Sequence, residues 1–120
     1  MRRILLVDDD DAMRGLVYET LEDLGDELIE AQNGVEALAA VNAARPSLIV
    51  MDWMMPGMSG IEVVRALKRD PSTQDIPVIL MTARDEPDDQ RLSQEAGVSA
   101  FLAKPFSPAA LLDHVERLLA

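Results

Sequence analysis

The chain has 120 residues, 48 % of them apolar and 28 % charged, and its 22 acidic and 11 basic side chains leave a net charge of −11 at pH 7. That length and balance fit one globular domain over residues 1–120 with a core of its own. The acidic surplus argues against nucleic acid or anionic membrane as a direct partner, and the lack of cysteine removes disulfides and thiolate metal sites.

Met1-Arg2-Arg3 is followed by only Ile4-Leu5-Leu6-Val7 before Asp8, too short for a secretory signal. No apolar run approaches the roughly 20 residues of a membrane span, so the expectation is a soluble, cytoplasmic protein.

In chain order, residues 3–7 read as a buried strand stopped by Asp8-Asp9-Asp10-Asp11. Met13, Leu16, Val17, Thr20, Leu21 and Leu24 recur at helical spacing, with Asp10 or Asp11 as cap and Gly25 as terminator. Residues 27–31 form a weaker strand, placed at a sheet edge. Asn33 with Glu36 opens a second helix through Ala44. Residues 47–51 make a third strand leading into Asp52-Trp53-Met54-Met55-Pro56. Such an uninterrupted apolar run marks a strand covered on both faces, as in a parallel sheet.

Ser59 with Glu62 is a capping box, and Ile61, Val64 and Leu67 give the third helix its inner face. Residues 77–81 are a fourth buried strand ending at Thr82. Residues 87–96 are helical by propensity, but their apolar stripe is thin, with Leu92 and Ala96 its main members. Ala100-Phe101-Leu102-Ala103 is a fifth strand ending at Lys104-Pro105. Ser107 and Pro108 then start a last helix that turns Leu111, Leu112, Val115, Leu118 and Leu119 to the core. Strands alternating with helices predict an α/β fold, a flavodoxin-like (βα)5 doubly wound sandwich with a five-stranded parallel sheet in the order 2-1-3-4-5.

In a parallel sheet the C-terminal strand ends share one edge, which brings Asp8, Asp9, Asp52, Thr82 and Lys104 together at the switch point. Two carboxylates about 4 Å apart repel by roughly 4 kcal/mol at an effective dielectric near 20. Such a cluster must hold protons or a cation. Carboxylate oxygens suit a hard ion, Mg2+ or Mn2+, and not zinc, for which the chain offers only His114 and no Cys. Carboxylate, metal, hydroxyl and ammonium together meet the needs of phosphoryl transfer, with Asp52, alone on the central strand, the best nucleophile.

Four short motifs stand in order at strand ends: Leu6-Val7-Asp8-Asp9, Asp52 before Met55-Pro56-Gly57-Met58-Ser59-Gly60, Met81-Thr82-Ala83, and Lys104-Pro105-Phe106. On these the chain resembles the response-regulator receiver domains of two-component signalling, in particular the single-domain chemotaxis regulator. The resemblance implies that Asp52 takes a phosphoryl group from a sensor histidine kinase or a histidine phosphotransfer protein. It implies Mg2+ held by Asp9, Asp52 and the backbone carbonyl of Met54, with Asp8 acting through a metal-bound water. Thr82 and Phe101 become the switch pair, Lys104 pairs with the phosphoryl group, and the Lys104-Pro105 bond is cis. A protein that catalyses only its own phosphorylation and dephosphorylation is not a classical enzyme. Its output surface is the fourth helix, fifth strand and fifth helix, offered to a downstream protein the sequence does not name.

Three features depart from the family pattern. Met54 stands where the chemotaxis regulator has Asn, and Arg84, two after Thr82, is placed to shield the phosphoryl group. A longer-lived phosphorylated state is the expectation. Ser99, Ala100 and His114 replace the charged residues that form dimer salt bridges in receivers of winged-helix transcription factors. No effector domain is read in the chain, and a receiver cut from a larger regulator would look the same. Rival readings are a haloacid-dehalogenase-type phosphatase, using Asp8-x-Asp10, and a pseudo-receiver that binds partners without phosphorylation.

Overall fold

A computed structural model describes residues 2–83 and 87–120. Five strands, β1 (Arg3–Val7), β2 (Glu27–Ala31), β3 (Leu48–Asp52), β4 (Val78–Thr82) and β5 (Ala100–Ala103), alternate with α1 (Asp11–Leu21), α2 (Gly34–Ala44), α3 (Gly60–Arg69), α4 (Pro87–Ala96) and α5 (Pro108–Leu119). Every pairing is parallel and the sheet order is β2-β1-β3-β4-β5, the expected doubly wound arrangement.

The continuous apolar runs have a simple cause: both faces of the sheet are covered. Leu5, Val7, Ile49, Met51, Val78 and Leu80 pack on one face with Val41 of α2 and with Ile61, Val64 and Leu67 of α3. Ile4, Leu6, Leu48, Val50, Ile79 and Met81 pack on the other with Val17 and Leu21 of α1 and with Leu111 and Val115 of α5. Each such fully buried side chain stabilises the fold by roughly 1.5–3 kcal/mol through area removed from water.

The helix ends follow their signals closely. Asp10 caps α1 by accepting from the N–H groups of Ala12 and Met13. The Ser59–Glu62 capping box of α3 is complete, and Ser107 caps α5 with Pro108 in its first turn. Two ends differ in detail. The last turn after α1 tightens into a 3-10 turn, Glu22–Leu24, before Gly25 closes it at φ +82°. At α2, Asn33 accepts from Glu36 N–H, but the Glu36 carboxylate returns to Gln32 N–H, one residue earlier than a capping box would place it.

Three expectations need correction. β3 and β4 run one residue later than the apolar runs suggested, because the ladder continues through the pair Asp52 and Met81 and the pair Thr82 and Ala103. Leu16, one of the apolar positions that recur at helical spacing in α1, is 45 % exposed, since Val17 and Leu21 take the inner face. In α4 the buried positions are Asp89, Ser93 and Ala96, while Leu92 is only partly buried. Ser93 Oγ satisfies itself on the Asp89 carbonyl at 2.9 Å. The thin stripe of α4 is thus half polar on its inner side.

Candidate functional site

The strand ladder delivers the acids. Asp52 is the last residue of β3 and is buried, and Trp53 N–H continues the ladder by donating to Met81 O at 2.8 Å. Asp8 follows β1 directly, is also buried, and donates its own N–H to Ala31 O of β2 at 3.2 Å. Asp9, next along, is exposed. Carboxylate oxygens of Asp8, Asp9 and Asp52 all lie within 4.8 Å of one another. The predicted trio is therefore one cluster, open to solvent on the Asp9 side, where a cleft of about 550 Å3 continues past Asn33, Pro56 and Met58.

Lys104 reaches into the cluster from the end of β5. Its Nζ stands 3.2 Å from Asp52 Oδ1 and 3.3 Å from Asp8 Oδ2, and its backbone N–H donates to Thr82 O at 2.7 Å. Thr82 itself is fully buried at the end of β4. The Lys104-Pro105 peptide bond is cis, as the resemblance implied. Arg84 lies outside the described residues.

The electrostatics follow from this geometry. Burial raises the pKa of Asp52 above the usual carboxylate value, and the Asp8 charge adds to the rise. Lys104 and the N–H of Met54 oppose it without cancelling it. For Lys104, burial acts to lower the pKa, but the charges of Asp52 and Asp8 outweigh it and raise the value. Three carboxylates and one ammonium leave a formal charge of −2, which a single divalent cation neutralises. The donor set is all hard oxygen, with no sulfur or imidazole, and it fits Mg2+ or Mn2+.

Two neighbours carry contacts that no local pattern displayed. Trp53 is buried beside Asp52 and meets Phe101 of β5 edge to face, with centroids 6.4 Å apart at 87°. Arg14 of α1 binds the Asp8 carbonyl through Nη1 at 2.8 Å, Asp11 through Nη2 at 2.7 Å and Glu30 through Nε at 3.0 Å. The only sequence hint for Arg14 was its spacing of three from Asp11, which marks a helix-surface pair and nothing more. Asp10, the second acid an Asp-x-Asp phosphatase would need, is occupied as the α1 cap.

Comparison with known proteins agrees with the geometry. Residues 4–116 match the family described as response regulator receiver domain. The phosphate regulon transcriptional regulatory protein PhoB of Pseudomonas aeruginosa is 42 % identical over 118 residues, covering 98 % of this chain and 52 % of the relative. The chemotaxis protein CheY of the same organism is 35 % identical over 117 residues, covering 97 % of this chain and 94 % of the relative. The solved chemotaxis protein CheY4 of Vibrio cholerae superposes with a TM-score of 0.92 at 35 % identity, covering 99 % of each chain. The chain thus spans about half the length of the PhoB relatives it matches. Among the described residues no helix is long and apolar enough to cross a membrane. Fold, acid cluster and family match agree: the chain belongs to the response regulator receiver domains of two-component signalling.

Proposed function

We propose that the domain is a phosphoacceptor, with Asp52 as the residue that takes the phosphoryl group from a phosphohistidine of a sensor histidine kinase or a histidine phosphotransfer protein. The observation that carries this reading is the Lys104 ammonium bridging Asp52 and Asp8 inside a cluster otherwise made of carboxylates. An Asp52 oxygen attacks phosphorus, the donor's P–N bond breaks, and the imidazole nitrogen leaves with the electron pair. Asp9, Asp52 and the Met54 carbonyl would hold Mg2+, or Mn2+ in its place, and Asp8 would contribute through water. Bound there, the metal offsets charge on the phosphoryl oxygens.

Lys104 then exchanges its carboxylate partner for a phosphoryl oxygen, and the Thr82 hydroxyl turns to another. Phe101 follows inward, and its edge contact with Trp53 ties that movement to a residue adjoining the acceptor. The output surface is α4, β5 and α5, offered to a downstream protein. The few buried apolar side chains on the inner face of α4 support its role as the element that moves. The domain acts on its own carboxylate alone, in keeping with a family that is generally not classed among enzymes, and its net charge of −11 disfavours nucleic acid or an anionic membrane as a direct partner.

Titrating Mg2+ and then beryllium fluoride while following Trp53 fluorescence tests the reading. Two successive, saturable changes are expected, the second only with metal present. No response to beryllium fluoride at saturating Mg2+ would refute it.

Met54 sets the lifetime of the phosphorylated state in this reading. Met54 is 54 % exposed, and its thioether is too weak an acceptor to orient a water. Met54→Asn supplies a group that can, and decay of the phosphorylated protein should accelerate by about tenfold, equivalent to about 1.4 kcal/mol off the barrier. Phosphate release followed after removal of the donor measures this, and an unchanged rate would contradict it.

A further inference from the structure

Asp9 is placed differently from its neighbours in the cluster. Asp8 is fastened by both carboxylate oxygens, one accepting from Asp10 N–H at 2.9 Å and the other from Lys104 at 3.3 Å. Asp52 has Lys104 and the Met54 N–H. Among the described residues no hydrogen bond or ion pair holds the Asp9 carboxylate, so the backbone that carries it decides where it points. That backbone is the peptide joining Asp8 to Asp9, and its carbonyl is the one that Arg14 binds at 2.8 Å.

The other two nitrogens of Arg14 are anchored as well. Nη2 is on Asp11 of α1 and Nε on Glu30 of β2, and the side chain is only 11 % exposed. One planar guanidinium therefore ties the acidic loop to the following helix and to the edge strand. An ammonium cannot reproduce this, because it is a point charge without the fixed fork. The N–H of Asp8 is held by Ala31 of the same edge strand, so β2 braces both sides of that residue.

We propose that Arg14 is a positioning residue for the cation site: its guanidinium fixes the peptide between Asp8 and Asp9 and thereby aims Asp9 at the metal. The proposal rests on the acid cluster being a Mg2+ site. Charge alone predicts the opposite behaviour. A cation standing behind a cation site repels the incoming metal, and removing it would tighten binding.

That difference in sign makes the test. Isothermal titration with magnesium chloride is run on wild type, Arg14→Gln and Arg14→Lys, each checked by its urea midpoint without metal. Loss of an outer positioning contact typically costs 10–100-fold in metal affinity. Arg14→Gln should weaken Mg2+ binding by about tenfold or more, and Arg14→Lys should also weaken it although the charge is kept. Mg2+ binding by Arg14→Gln as tight as wild type, or tighter, would overturn the proposal. If Arg14→Gln does not fold, Arg14→Lys decides by the same criterion, since wild-type affinity there would mean that the guanidinium fork does not position the site. A wild type that binds no Mg2+ would instead refute the reading of the site itself.

Discussion

Asp52→Asn is expected to reduce phosphoryl incorporation from acetyl phosphate to background and, without metal, to raise the urea midpoint of the protein at neutral pH. The first effect follows from the chemistry: an amide oxygen is a far weaker nucleophile than a carboxylate and its adduct would not persist. None of the neighbours is equipped to replace it, since both oxygens of Asp8 are engaged and Asp9 stands at the exposed side. The second effect follows from the raised pKa of Asp52, caused first by burial and then by the Asp8 charge. A carboxyl group whose pKa is raised on folding favours the folded state below its unfolded value of 3.8, and that contribution is lost as pH rises through the folded value. The wild type loses that contribution as its carboxyl group ionises, whereas an asparagine is neutral at every pH. Mass spectrometry after acetyl phosphate treatment reads the first effect, and urea unfolding at pH 7 with chelator reads the second. Stoichiometric labelling of Asp52→Asn would move the acceptor elsewhere. An unchanged or lowered midpoint would mean that Asp52 is not strained in the metal-free state.

Gly60→Ala should cost about 1–3 kcal/mol of stability, the usual range for forcing a methyl group into a packed interior. Gly60 opens α3 and donates its N–H to Trp53 O at 2.8 Å, so the helix starts directly on the strand end that carries the acceptor. A Cβ there would stand 2.6 Å from the Asp52 carbonyl oxygen, 2.8 Å from Leu80 Cδ1 and 2.9 Å from Trp53 Cα. Two of these three are main-chain positions that cannot swing aside, so α3 must back away from β3. The gain in helix propensity, at most about 1 kcal/mol, does not offset this at the first helical residue. Because Asp52 rides on the displaced segment, labelling by acetyl phosphate should slow as well. Urea unfolding and a labelling time course measure the two effects, and wild-type values in both would contradict so close an approach.

How far each feature could be read in the sequence depends on the range of the interaction behind it. The strands were legible because both faces of a parallel sheet demand apolar side chains, which leaves uninterrupted runs in Ile4-Leu5-Leu6-Val7 and Leu48-Ile49-Val50-Met51. Caps at Ser59 and Ser107, and one at Asp10 or Asp11, were legible because each bonds within three residues of itself. The site was legible for a topological reason: in a parallel sheet, residues at strand ends meet wherever they lie in the chain, and Asp8, Asp9, Asp52 and Lys104 do.

What escaped that reading is of another kind. The apolar stripe of α4 runs through Leu92 and Ala96, but Asp89 and Ser93 are buried beside Ala96 while Leu92 is only partly covered. Phe101 against Trp53, Arg14 spanning loop, helix and edge strand, and Gly60 beneath Asp52 join residues that are distant in the chain or belong to different elements. Periodicity, capping and strand ends, all local or topological, were enough to determine the fold, its strand order and the acids at its edge. Only the tertiary structure decided how those acids are held, because that depends on contacts of a few ångströms between elements, for which no spacing along the chain is a measure.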